Sequence, residues 1–103
     1  MPLFKTISYD IDTQIFIWKI LESEAELNAT VTLQDKHLHR LNGMLSEQHR
    51  KGFLSVRKLL MEAGYTDFDL NYDTNGKPSL ADGKHISITH SYDFSAIIVS
   101  TQN

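Results

Sequence analysis

Residues 46–64 read SEQHRKGFLSVRKLLMEAG, and this stretch decides the fold that the sequence predicts. Ser46 is a suitable N-cap, and Gly64 is a suitable helix end. Between them, residues recur at alternating steps of four and three, the spacing of one helix face: His49, Phe53, Val56, Leu60 and Ala63. The pattern predicts a long helix from about Ser46 to Ala63 that packs this face on a sheet.

The residues before this helix indicate a hairpin followed by shorter helices. From Leu3 to Ile20 the chain is rich in Ile, Phe, Tyr, Thr and Trp, which predicts two strands. A polar break separates the two strands and consists of Asp10, Asp12, Thr13 and Gln14. Such a break suits a turn, because an aspartate there can accept hydrogen bonds from its own backbone. From Glu22 to Leu45, apolar residues at helical intervals predict one or two short helices: Leu33, Leu38, Leu41 and Leu45.

The residues after the long helix predict three strands. Phe68–Tyr72 is a short alternating segment, and a turn-rich stretch follows it at residues 73–78. His85–Thr89 alternates, and Ser95–Ser100 is apolar enough for a central strand. Because helices and strands are grouped rather than strictly alternating, we expect an α+β domain. Its mainly antiparallel sheet should pack against the one long helix.

Composition limits the function classes that need to be considered. The 103 residues fit a single domain spanning 1–103. A net charge of -3 argues against a general binder of nucleic acid or anionic membrane, although it allows a local basic pocket. The chain has no cysteine, no apolar run near the ~20 residues of a membrane helix, and no signal-peptide pattern at its start. We therefore expect a soluble, cytoplasmic protein.

Two polar segments at predicted strand ends could hold a phosphate, namely Gly76–Pro78 and Thr89–Ser91. Gly76 permits backbone conformations or close approaches that other residues do not, and Lys77 supplies a cation beside it. The hydroxyls of the second segment and the His90 imidazole can donate hydrogen bonds to phosphate oxygens. Each segment is also what an ordinary turn or capping cluster contains, so local chemistry alone leaves both interpretations open.

Three motifs occur in a fixed order: FLSVRKLL at residues 53–60, NYDTNGKPSL at residues 71–80, and HISITHS at residues 85–91. With these motifs, the chain from about Arg50 to Ser100 resembles the N-terminal lobe of the two-lobed 4'-phosphopantetheinyl transferases. The first 45 residues are similar only in general character. The resemblance implies the fold of one lobe of that family, which is consistent with the predicted α+β domain.

The resemblance also implies a binding site for coenzyme A, the substrate that donates the transferred group. The complete enzyme would transfer 4'-phosphopantetheine from coenzyme A to a serine of an acyl or peptidyl carrier protein. The alternative is a non-catalytic module that binds coenzyme A or a carrier protein. Thr89 stands where the family usually has serine and keeps a hydroxyl. By this resemblance, Arg57 would hold the 3'-phosphate of the adenosine. The nucleotide would be flanked by Gly76, Lys77 and Pro78, and phosphates would be contacted by Thr89 and His90.

The family's Mg²⁺ ligands are not found in this sequence. In the family an Asp-x-Glu motif and a further Glu of the second lobe hold the ion, and no paired carboxylates occur near residues 76–91. We therefore predict no catalytic or metal-binding residue in this chain, and we expect the chain alone to lack the catalytic metal site. A C-terminal lobe or a second copy in a homo-oligomer would be the partner, meeting a sheet edge near Ser95–Ser100.

The remaining candidates for chemistry have ordinary structural interpretations. Asp10 and Asp12 suit the hairpin turn better than a metal site. None of the five histidines forms a pair with zinc-site spacing, so surface or boundary positions are expected for them. Phe16 and Trp18 lie on one strand face and are expected in the core.

Overall fold

The computed structural model describes residues 4–91 and 93–101, and it begins with the predicted hairpin. Strand β1 (Phe4–Asp10) pairs antiparallel with β2 (Thr13–Lys19). The backbone N–H of Asp12 donates to Asp10 Oδ1 at 2.8 Å, so these aspartates do belong to the turn. The predicted start of the hairpin at Leu3 lies outside the described residues.

Three helices follow the hairpin, and the longest is the one that the periodicity predicted. The segment from Glu22 to Leu45, where one or two short helices were predicted, contains two: α1 (Glu24–Ala29) and α2 (Asp35–Asn42). Helix α3 (Glu47–Glu62) is N-capped by Ser46, whose Oγ accepts from the N–H of His49. It ends at a Gly64 with φ of 91°, where the N–H of Tyr65 donates to the carbonyl of Leu60. Among the described helices none is long and apolar enough to cross a membrane.

The strands form two sheets rather than one. The larger sheet has the order β1-β2-β6-β5, with β5 at His85–His90 and β6 at Phe94–Ser100. Every neighbouring pair in it is antiparallel. A separate two-stranded sheet pairs β3 (Leu70–Tyr72) with β4 (Pro78–Leu80). The α+β class and the antiparallel sheet packed against one long helix are confirmed.

Three details of the predicted strands are wrong. Phe68 lies in a short 3-10 helix (Asp67–Asp69) and is exposed, because the chain still turns there before it pairs. Pro78–Leu80 forms a strand where only the end of a turn was expected. Ser95–Ser100 is not near a sheet edge, because β6 is hydrogen-bonded to β2 on one side and to β5 on the other.

The core lies between α3 and one face of the larger sheet. Phe16 and Trp18 are buried there, as predicted, and Ile97 of β6 is completely buried. On α3 the predicted face is buried at Phe53, Val56 and Leu60 and half-buried at Ala63, whereas His49 is exposed. The same helix also buries a full charge, Arg57, and this charge determines how the neighbouring site is built.

Candidate functional site

A groove of about 640 Å³ lies where helices α2 and α3 meet the two sheets. It contains five of the six residues that the sequence singled out, although they come from three separate segments of the chain. The structure brings together Arg57, Gly76, Lys77, Pro78 and His90. Thr89 does not line it.

The loop between β3 and β4 presents Lys77 to the groove. Asp73 Oδ1 accepts from the backbone N–H groups of Asn75 and Lys77, at 2.8 and 2.9 Å. Gly76 has a φ of 83°, and nothing lies within 4 Å of the position that a Cβ would occupy there. The glycine is therefore needed for its backbone conformation and not for a close approach. These bonds hold the loop in one shape and direct Lys77 toward the groove.

The end of β5 separates His90 from Thr89. Successive side chains on a strand point to opposite faces, so neighbours in sequence are not neighbours in space. Ile88 is opposite the buried Ile97 and faces the core, and His90 is on the same face as Ile88. Thr89 pairs with Ala96 on the other face of the sheet. Only the histidine of this predicted pair therefore reaches the groove.

The groove has a cationic lining in a chain whose net charge is -3. None of the described lining residues is a carboxylate. Neither Arg40 nor Lys77 belongs to an ion pair among residues 4–91 and 93–101, so both charges remain available. Arg50, by contrast, is held by both carboxylate oxygens of Glu24 and does not line the groove. This distribution of charge favours an anionic ligand. Within the described residues, the unpaired charges that line the groove belong to Arg40 and Lys77, while Arg57 is paired with Asp67, and His49 and His90 add imidazole rings.

The rest of the lining is apolar and aromatic. The Arg40 guanidinium lies 4.6 Å from the centre of the Tyr72 ring, so a cation–π contact keeps it beside the groove. An extended ligand with phosphates and an uncharged arm would meet both kinds of surface. The apolar and aromatic residues are Met44, Phe53, Val56, Tyr72, Ile86 and Ile88.

The floor of the groove rests on a buried cluster that consists of His37, Arg57 and Asp67. Arg57 is 1% exposed, and its Nε donates to Asp67 Oδ1 at 2.8 Å. Its other nitrogens donate to the Tyr72 hydroxyl and the Phe53 carbonyl, at 3.2 and 3.3 Å. The guanidinium is thus already neutralised and hydrogen-bonded, and only a small part of it can face a ligand.

Asp67 is the acceptor that holds this buried cluster together. Its Oδ1 also accepts from His37 Nδ1 at 2.7 Å, and its Oδ2 accepts from the backbone N–H of Gln34 at 2.8 Å. Burial alone would raise the pKa of Asp67, but the hydrogen bonds from Gln34, Arg57 and His37 outweigh burial and hold that pKa below its usual value. The carboxylate stays ionised and pairs with Arg57.

His37 completes the cluster as a neutral ring, since the charges of Arg57 and Asp67 already cancel. Burial lowers the pKa of His37, against the opposing effect of Asp67. A carboxylate can only accept, so Nδ1 carries the hydrogen. Within the described residues the buried Nε2 has no hydrogen-bond partner. A surface or boundary position was expected for this histidine, and that expectation is wrong because Asp67, thirty residues away, pairs with it inside the core.

We expect the stability of the fold to fall as the pH is lowered below about 6.5, the usual pKa of histidine. In the folded state the pKa of His37 is lower, so the unfolded chain binds the proton first and is favoured by acid. Urea unfolding at pH 7.5, 6.5 and 5.5 measures the slope. His37→Gln should flatten it, whereas the control His85→Gln changes an exposed histidine of β5. An unchanged pH dependence in His37→Gln would contradict this assignment.

Sequence reasoning missed two groups that line the groove. His49 is on the predicted helix face, four residues before Phe53, so its spacing was a signal that it lies beside the core. Arg40 carried no comparable signal, because its place depends on Tyr72, which is far away in sequence. The described residues contain no group of three or more His, Asp or Glu side chains that could hold a metal ion.

The fold and the groove define a small α+β domain with an anion-attracting site. A scan of models of known protein families gives no match to this chain, and a search of curated proteins gives no significant match.

Proposed function

We propose that this chain binds coenzyme A in the groove, as the coenzyme A-binding lobe of a protein of the 4'-phosphopantetheinyl transferase type. The observation that carries the proposal is a groove with two unpaired cations, Arg40 and Lys77, and no carboxylate among its described lining residues, in an acidic chain. Coenzyme A has several phosphates, a flat base and an uncharged pantetheine arm. The groove offers cations to the phosphates, and it offers apolar and aromatic surface to the base and to the pantetheine arm.

Within this proposal the exposed cations contact the phosphates, and Arg57 supports the floor beneath them. Lys77 and Arg40 have no ion-pair partner among the described residues, so a phosphate need not displace a carboxylate to reach them. His90 can donate from its imidazole in either protonation state. Arg57 already donates hydrogen bonds to Asp67, Tyr72 and Phe53. Its predicted contact with the 3'-phosphate stays a prediction, as does the role of Thr89.

The reaction of the family would move 4'-phosphopantetheine to a carrier-protein serine, with Mg²⁺ on the phosphates. The described residues do not offer a set of carboxylates for that ion, so no step through Mg²⁺ is assigned to them. The proposed contribution of this chain is to bind the donor and to orient its phosphates. Carrier protein and a second lobe or second copy are the partners that this role implies.

Titration calorimetry of the full chain with coenzyme A tests the proposal. We expect Lys77→Ala to weaken binding about tenfold, because it removes one charge-assisted contact with a phosphate. Lys84→Ala is the matched control: this exposed lysine lies in the loop after β4, outside the groove, and its loss should leave the affinity unchanged. Equal affinity of Lys77→Ala and the unmodified chain would refute the proposed site.

A second assay separates a transferase from a binding module. The chain is incubated with coenzyme A, Mg²⁺ and an apo carrier protein, and the carrier is weighed by mass spectrometry. A mass gain that is lost in Lys77→Ala would assign transfer to this chain. Coenzyme A binding without a mass gain would assign it the non-catalytic role.

A further inference from the structure

Gly52 occupies a position in α3 that its backbone does not explain. Glycine is the least favourable residue for a helix interior apart from proline. Its φ is not positive, unlike that of Gly64, so an L-residue could adopt its conformation. Gly52 is buried on the side of the helix that faces the end of β5. Space, and not conformation, is the property that distinguishes this glycine.

The space beside Gly52 is filled by the imidazole of His90. A Cβ built on Gly52 would lie 3.2 Å from His90 Nδ1, 3.4 Å from Cγ and 3.6 Å from Cε1. The first distance, between carbon and nitrogen, is tighter than nine in ten such contacts, so the His90 ring would have to shift by a few tenths of an ångström. By comparison, a Cβ on Gly43 would meet only backbone oxygens, at 3.5 Å or more.

A second contact next to Gly52 keeps β6 close to the helix. Ser55 Oγ donates to the Gly52 carbonyl at 2.9 Å and forms a buried hydrogen bond with Ser95 Oγ at 2.5 Å. Ser95 is in turn the strand partner of His90. The small side chains of Ser55 and Ser95, together with the lack of a side chain at Gly52, therefore determine how close α3 lies to the end of β5, where His90 is located.

We propose that Gly52 is a positioning residue for His90. Because it has no side chain, the imidazole lies against the backbone of α3 and is held at the wall of the groove, where a phosphate of the ligand accepts from it. The inference rests on the proposed function, which supplies the ligand. It adds the requirement that residue 52, next to His90, has no side chain.

A double-mutant cycle in the full chain tests the inference, with coenzyme A as the probe and titration calorimetry as the measurement. We expect His90→Ala to weaken binding about tenfold. Gly52→Ala should weaken it roughly threefold to tenfold through the displaced ring. In the His90→Ala background, Gly52→Ala should change the affinity less than about twofold, because no imidazole is left to move. Gly43→Ala is the matched control and should bind like the unmodified chain.

Thermal unfolding of the same variants excludes a general loss of structure. We expect the Tm of Gly52→Ala to be unchanged or to rise by roughly 4 °C, since alanine favours the helix and the exposed ring can yield. If the methyl group lowers the Tm instead, removing the ring in Gly52→Ala/His90→Ala should restore it.

The outcomes distinguish this inference from the proposed function. Weak binding by His90→Ala with unchanged binding by Gly52→Ala would overturn the positioning role and leave the proposed site intact. Unchanged binding by His90→Ala would refute the proposed contact with His90 itself. An equal loss from Gly52→Ala in both backgrounds would also overturn the inference, because the alanine would then act through the packing of helix and sheet.

Discussion

Asp67→Ala is expected to destabilise the fold by about 3–5 kcal/mol, the usual cost of removing one partner of a buried ion pair. Arg57 would keep its charge at 1% exposure with no carboxylate beside it. The N–H groups of His37 and Gln34 would lose their acceptor in the same step. Because domains of this size are stable by only ~5–15 kcal/mol, this loss would remove a large part of the stability of the fold.

Urea unfolding followed by circular dichroism measures this loss. Asp69→Ala is the control, since Asp69 lies two residues further along the same 3-10 helix but accepts from Thr66 at the surface. Loss of that cap should cost only about 1 kcal/mol. If Asp67→Ala stays within about 1 kcal/mol of the unmodified chain, the buried cluster does not hold the fold together.

Ile97→Ala is expected to cost about 2–5 kcal/mol, because it leaves a cavity in the layer between α3 and the larger sheet. Ile97 is completely buried, and its strand partners Phe16 and Ile88 lie on the same core-facing side. The adjacent Ile98 pairs with Ile15 on the opposite face and is 38% exposed. Two isoleucines in consecutive positions thus differ only in the face that they present.

Ile98→Ala is therefore a matched control, with an expected loss below about 1 kcal/mol. Thermal and urea unfolding of both variants give the comparison. Similar losses from the two substitutions would mean that the outer face of the sheet is also covered and that the assignment of the core face is incomplete.

The candidate site was predictable where it depends on short motifs. The glycine, lysine and proline of residues 76–78 are adjacent in the sequence, and a turn that needs a positive φ at Gly76 presents them together. His90 was found in the same way. Thr89 does not line the groove, because successive side chains of a strand point to opposite faces and the motif alone does not say which face meets the helix.

The buried cluster could not be predicted from local patterns. Arg57 follows Phe53 by one helical turn, which places it beside the apolar face, but this spacing does not show that its charge is buried. It is buried because Asp67 and Tyr72 return to that face from later segments. His37 reaches the same carboxylate from an earlier segment. No spacing rule relates these residues, because their contacts depend on how three elements pack.

The sequence by itself determined the elements that local interactions specify. Helix α3 (Glu47–Glu62), the opening hairpin and the central strand β6 (Phe94–Ser100) follow from caps, turns and hydrophobic periodicity, which act between residues a few positions apart. Only the tertiary structure decided which charges are buried and which remain available to a ligand. A charge can be buried only when its partner is close in space, and here that partner lies in a distant part of the chain. The same packing left Lys77, Arg40 and His90 around one groove.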